Sequence, residues 1–288
     1  MARQPGGNMQ KSVAVLGSGS LGSIVAEGIV KDLAGSWRLL GVVARTFSHA
    51  QDLAQRTGCV AFADVEAMLH EKPDMVVEAA GVAAAREHAE KILASGSSLI
   101  LLSCGALADE SFVVHLKNAA KQGGCVLHIP SGAIGGYDLL RTLAFRQKQL
   151  RARGEEAPLR VQVDNVKNPH SLAGAPGLEG ISPKSLEENR EEVFAGSARE
   201  AIRGFPKNVN VAVGAAVASA GIDETRVTIS SDPQLVENVH RITAEGFGVR
   251  AVMEFGSMPD PENPRSSTMT AWSVLALLQD LASPVRYF

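Results

Sequence analysis

The run Val13-Ala14-Val15-Leu16-Gly17-Ser18-Gly19-Ser20-Leu21-Gly22 limits what this chain can fold into more than any other stretch. Its apolar start reads as a buried strand and the residues after Gly22 read as a helix, so the glycines stand at a strand-to-helix turn. Gly17 permits the tight turn out of the strand. Gly19 lets the backbone approach a pyrophosphate, and Gly22 lets helix and strand pack closely. Ser20 and Leu21 lie where the helix opens and its free N–H groups favour negative charge. A G-x-G-x-x-G alone is weak, because a glycine-rich turn can exist without a ligand. Between a first strand and a helix it reads as a phosphate loop for a dinucleotide.

Short apolar runs then alternate with helical patterns. SVAVL (12–16), RLLGVV (38–43), DMVVEAA (74–80), SLILLS (98–103) and CVLHI (125–129) read as strands buried on both faces. Segments such as VAAAREHAEKILASG between them carry apolar residues at helical spacing. Strand and helix in repeated alternation give a Rossmann-type, doubly wound parallel sheet. The pattern changes after IPSGAIGGYD. A helix is expected from Tyr137 towards Leu150, then the strand RVQVDNVK and a Gly-, Pro- and Ser-rich loop over 168–185. SAREAIRGF and VNVAVGAAVASAG read as helices, and RVTISS, NVHRITAEG and VRAVMEFGS as strands. The fold class is therefore α/β, with a second α+β domain built on a largely antiparallel sheet. The 288 residues divide into a loose leader (1–10), a dinucleotide-binding domain (11–135), a substrate and dimerisation domain (136–264) and a C-terminal helix (265–288) expected to pack back on the first domain.

An acid at the end of the second strand would hold an adenosine ribose. Ala44 and Arg45 occupy that place instead. Arg45, helped by Thr46 and Ser48, either accepts a 2′-phosphate or stacks on adenine. NAD or NADP is the expected cofactor, and Arg45 favours NADP competence. Ala80, at the end of one strand, and Cys104 with Gly105, after another, are small residues expected beside it.

A net charge of −3, with no dense Lys/Arg run, gives no field to hold nucleic acid. No apolar run approaches the ~20 residues that span a bilayer. Cys59, Cys104 and Cys125 are odd in number and far apart, which points to a reducing compartment, the cytoplasm. His49, His70, His88, His115, His128 and His170 show no metal-ligand spacing, so no metal is expected.

SCGALAD (103–109), IPSGAIGGYD (129–138), GSAREAIRGFPKNVNVAV (196–213), ENVHRI (237–242) and PENPRSS (261–267), in this order, resemble the L-aspartate dehydrogenase family. The resemblance runs from about residue 11 onward and departs from the family's pattern in the 168–185 loop. It implies reversible oxidative deamination of L-aspartate to iminosuccinate or oxaloacetate and ammonia, with NAD or NADP. It also implies a homodimer formed by the second domain. By the same resemblance the family histidine of the N-x-H motif is His240, and cofactor contacts fall on Ala133 and Asn210.

The residues themselves agree. Strand alternation puts Asn238, His240, Ile242 and Ala244 on one face, polar at its entrance and apolar beyond. A histidine with an ordinary pKa near ~6.5 can exchange a proton near neutral pH, with Asn238 orienting it. A dicarboxylate needs cationic and amide donors. Lys207 offers a charge-assisted bond, and Asn208 is expected to cap the next helix, whose N-terminus attracts an anion. Ser131 and Gly132 lie just past the last strand of the first sheet, at its ligand-binding edge or as a hinge. Two other readings stand beside this one: an aldehyde dehydrogenase with Cys104 as nucleophile, and a catalytically silent dinucleotide-binding sensor.

Overall fold

The computed structural model describes residues 10–206, 208–260 and 267–286. They form two compact units. One takes the chain up to Leu101, then His115–His128 and the chain from Val274; the other takes Leu102–Val114 and Ile129–Ser273. Leu102–Val114, assigned above to the dinucleotide-binding domain, thus packs with the second unit. A long-range bond contributes: Asn210 Oδ1 accepts the Gly105 N–H at 2.8 Å, tying the 3-10 turn Cys104–Ala108 to the helix that begins at Asn210.

In the first unit β1 (Lys11–Leu16), α1 (Ser20–Asp32), β2 (Trp37–Val43), α2 (Phe47–Thr57), β3 (Val60–Phe62), α3 (Val65–His70), β4 (Met75–Glu78), α4 (Val82–Ala94) and β5 (Ser98–Leu101) follow one another. α5 (Glu110–Gly123), of which the part from His115 belongs to this unit, leads to β6 (Leu127–His128). Among the described residues the sheet has six strands in the order β3-β2-β1-β4-β5-β6, all parallel. The strands are apolar because both faces are covered: Val13, Val15, Val42, Val76, Val77, Leu99 and Ile100 are all inaccessible to solvent. Strand order reverses between β1 and β4, which creates a switch point at their carboxyl ends. α11 (Met269–Ala282) closes the chain, and the Trp37 indole N–H donates to the Leu278 carbonyl at 2.8 Å.

The second unit holds α6 (Tyr137–Ala152), β7 (Arg160–Lys167), α7 (Pro169–Leu172), α8 (Pro183–Glu188), β8 (Glu191–Ser197), α9 (Ala198–Gly204), α10 (Asn210–Ala218), β9 (Arg226–Ser231), β10 (Asn238–Gly246) and β11 (Val249–Ser257). Its described sheet runs β11-β10-β7-β9-β8. β7 and β9 are parallel and the other pairings antiparallel, in keeping with a largely antiparallel sheet. Phe247 and Gly248, both at positive φ, make the two-residue turn between β10 and β11 and pin their register. The burial of β10 alternates as read from sequence, with Asn238, His240, Ile242 and Ala244 all inside. Among the described residues no helix is long and apolar enough to cross a membrane.

Candidate active site

At the switch point of the first unit, Gly17 takes φ +114°, and a Cβ there would stand 2.6 Å from the Ala79 carbonyl oxygen. Only glycine fits this turn. The Gly17 N–H donates to the Val43 carbonyl and the Ala79 N–H to the Leu16 carbonyl, both at 2.8 Å, so β1, β2 and β4 are locked around the loop. Glu78 is buried and accepts the N–H groups of Ala80 and Gly81, each at 2.8 Å. It shapes the chain that carries Ala80. α1 begins at Ser20 behind Gly19, without a side-chain cap and without an acid in its first turn. An uncapped first turn without a carboxylate gives the dipole's positive end no internal counter-charge, which suits an anion. A Cβ at Gly19 would meet nothing within 4 Å, so this glycine leaves space instead of relieving a protein contact. These features suit a pyrophosphate, and Gly17, Gly19, Ser20, Leu21 and Gly22 are the residues that could hold it. Arg45 is exposed beyond the end of β2, as a group meeting a ligand from solvent should be.

In the second unit the His240 ring is 3 % exposed, and its Nδ1 lies 2.7 Å from Asn165 Oδ1. Asn165 stands directly opposite on β7 and donates its amide to the Thr228 carbonyl at 3.3 Å. That second bond turns Oδ1 towards the ring. Nδ1 therefore carries the hydrogen, and Nε2 keeps a lone pair. The orienting partner expected at Asn238 is replaced by Asn165. Asn238 is buried on the same face, but its register partner is Ser257, and it is Asn165 that faces His240 across β7. Lys167, two residues along β7, points to the same buried face. Burial pulls its ammonium down to about 8. Burial, and then the Lys167 charge, push His240 down to about 3, well below the ordinary value of 6.5 expected from sequence. The sequence reading gave Asn165 and Lys167 no role at the site, although Lys167, with Pro169, matches the family resemblance at the edge of the 168–185 loop. The signal was present: Val161, Val163, Asn165 and Lys167 alternate along one strand.

The remaining candidates separate. Asn208 does not cap α10, whose N-cap is Val209; its amide donates to the Ser171 carbonyl at 2.7 Å and braces the 168–185 loop. Asn210 and Gly105 bond to each other, as described above. Gly132 takes φ +68° and donates to Ser273 Oγ at 3.1 Å; Ser131 is exposed and Ala133 half-buried. Cys104 begins a 3-10 turn and is buried, a poor position for a nucleophile that must meet an aldehyde. Lys207, and most of PENPRSS, lie outside the described residues.

A phosphate loop at the switch point of a 3-2-1-4-5-6 sheet, with a second unit carrying a buried imidazole, defines the class of two-unit nicotinamide-dependent dehydrogenases. Within that class the chain is specific. Residues 149–281 match the family model "Aspartate dehydrogenase, C-terminal", and residues 17–130 match "Homoserine dehydrogenase, NAD binding domain". L-aspartate dehydrogenase 2 of Bordetella pertussis is 37% identical over 272 residues, covering 94% of this chain and 97% of that one. The L-aspartate dehydrogenase of Methanocaldococcus jannaschii is 30% identical, covering 95% and 98%. The crystal structure of aspartate dehydrogenase from Thermotoga maritima shares the fold, with a TM-score of 0.73 at 24% identity over 97% of this chain and 100% of that one. The chain belongs to the L-aspartate dehydrogenase family.

Proposed function

We propose that this protein is an NAD(P)-dependent L-aspartate dehydrogenase, interconverting L-aspartate with iminosuccinate, and so with oxaloacetate and ammonia. The observation that carries the reading is the buried His240–Asn165 pair, which fixes one imidazole tautomer on the family's N-x-H motif. When bound, the dinucleotide accepts or supplies the hydride at the substrate's C2. In deamination Nε2 of His240 takes a proton from the water that adds to the imine carbon. In amination the protonated ring returns it to the departing oxygen. Asn165 keeps the ring in register through both steps, and burial keeps bulk water away from it. Gly17, Gly19, Ser20, Leu21 and Gly22 are the residues proposed for the pyrophosphate, with Ala80, Gly105, Ala133 and Asn210 along the rest of the cofactor. Lys207, Ser131 and Gly132 are proposed at the substrate. The protein is proposed as a cytoplasmic homodimer, a reading supported by three free cysteines and by the edge strand β11.

The test is a panel of 2-oxo acids with ammonium and NADH or NADPH, and of aldehydes without ammonium and with NAD+ or NADP+. Oxaloacetate should give the highest kcat/KM. A better 2-oxo acid, or an aldehyde oxidised faster than any 2-oxo acid is reduced, would replace the proposal. Arg45 is proposed to accept the adenosine 2′-phosphate. Arg45→Ala should lower the NADPH-to-NADH ratio of kcat/KM by about tenfold, the loss of one charge-assisted contact. An unchanged ratio removes Arg45 from cofactor choice.

A further inference from the structure

Beyond the His240–Asn165 pair, a second row of polar side chains crosses the same sheet. Lys167 pairs in register with Ser231 of β9. On its other flank, one step past the Val239–Val166 pair, comes Asn238 of β10. All three are buried: Lys167 and Asn238 are each 3 % exposed, and Ser231 is fully covered. The Ser231 hydroxyl has no hydrogen-bond partner. Among the described residues no carboxylate pairs with the Lys167 ammonium, and burial alone accounts for its weakened hold on its proton. A buried cation without a counter-charge, beside an orphaned hydroxyl, is costly for a fold to keep. An anion arriving between them satisfies both.

We infer that Lys167, with the Ser231 hydroxyl and the Asn238 amide at its flanks, is the subsite for the distal carboxylate of a four-carbon dicarboxylate substrate. The inference rests on the L-aspartate dehydrogenase reading. Two strand residues, roughly 6.6 Å, separate the His240–Asn165 row from the Lys167 row. That spacing suits a substrate handled at C2 by one row and at its C4 carboxylate by the next. The same anion would neutralise the charge that works against protonation of His240, so substrate binding would prepare the ring for its proton.

Oxaloacetate and pyruvate differ by this carboxylate alone and report on it directly. Wild-type protein should prefer oxaloacetate. In Lys167→Met, kcat/KM for oxaloacetate should fall about 10²-fold more than that for pyruvate, mainly through KM, the loss of a charged hydrogen bond. Ser231→Ala should shift the preference the same way by several-fold. The melting temperature of Lys167→Met should hold or rise, since an unpaired buried charge is removed. Equal losses on both substrates, or a lowered melting temperature with the preference intact, would make Lys167 structural and overturn the inference. Should Lys167→Met not fold, Ser231→Ala decides the matter through succinate, whose inhibition constant should rise in that variant; no rise overturns the inference. A wild-type protein that prefers another 2-oxo acid fails the functional reading itself, whereas a wild-type preference for oxaloacetate that survives both substitutions fails only the subsite.

Discussion

The His240 ring is uncharged in the free protein at neutral pH, because burial and the Lys167 ammonium together hold it at about 3. An unfolded chain would titrate the same ring near its ordinary 6.5. Between those two values the unfolded state binds a proton that the folded state refuses. Stability is therefore fully present above the upper value and falls as pH drops through the window. Thermal melts of wild type and His240→Asn should diverge below the upper value, with the variant losing less stability towards acid; parallel curves would mean the ring is more solvated than its burial implies. Lys167 has the same sign in an alkaline window. Its folded value of about 8 lies under the ordinary 10.5, so stability rises with pH between them, and the full penalty is present below. Replacing it with Met should raise stability at neutral pH by on the order of 1–4 kcal/mol. For catalysis, His240→Asn should cost roughly 10²–10⁴ in kcat while leaving NAD(P)H binding, followed by cofactor fluorescence, unchanged. The histidine was legible through the N-x-H motif of the family resemblance, and alternation along one strand put it on the face shared with Asn238, Ile242 and Ala244. Asn165 was not, because naming its partner needs the register between β10 and β7, which no single segment carries.

At the scale of elements, the glycine loop makes two different demands on two of its glycines. A Cβ on Gly22 would run into the Gly17 carbonyl, while one on Gly19 would meet open space. Gly22→Ala should therefore destabilise the protein by about 1–3 kcal/mol through overpacking of strand and helix. Gly19→Ala should melt like wild type yet bind NAD(P)H more weakly, as titration calorimetry would report. If both variants melt low, Gly19 serves the fold and not a ligand. Strands buried on both faces, such as β1, β2, β4 and β5, were legible because continuous apolar runs have few alternatives. β8 was not: its residues are half-buried without alternation, and Glu191 and Glu192 open it. β3 is three residues at a sheet edge, too short for a period to show. Asn208 stands where a cap is plausible by composition, but its amide is used on Ser171, a contact made by the path of the 168–185 loop and not by local propensity.

At the scale of the whole molecule, the chain joins an ordinary dinucleotide sheet to a second sheet whose buried face is polar at one end. The apolar remainder of that face, Val161, Val163, Val227, Ile229, Ile242 and Ala244, builds the core. The polar end, Asn165, Lys167, Ser231, Asn238 and His240, contributes little that a core requires and includes a charge that a core would exclude. Under the proposed reading that cost is borne for chemistry, and sequence rules for packing stop short of that end. The parallel first sheet was readable apart from β3 because its βαβ units repeat one pattern. The assignment of Leu102–Val114 to the second unit was not, since it depends on a bond from Asn210 across more than a hundred residues of sequence. The most direct measurement supplies the protein with NAD(P)H deuterated at C4 of the nicotinamide, oxaloacetate and ammonium, and locates the label by mass spectrometry. The expected result is L-aspartate carrying one deuterium at C2, formed by wild type and nearly lost in His240→Asn. Deuterated malate in place of aspartate, or no transfer to oxaloacetate at all, would contradict the account.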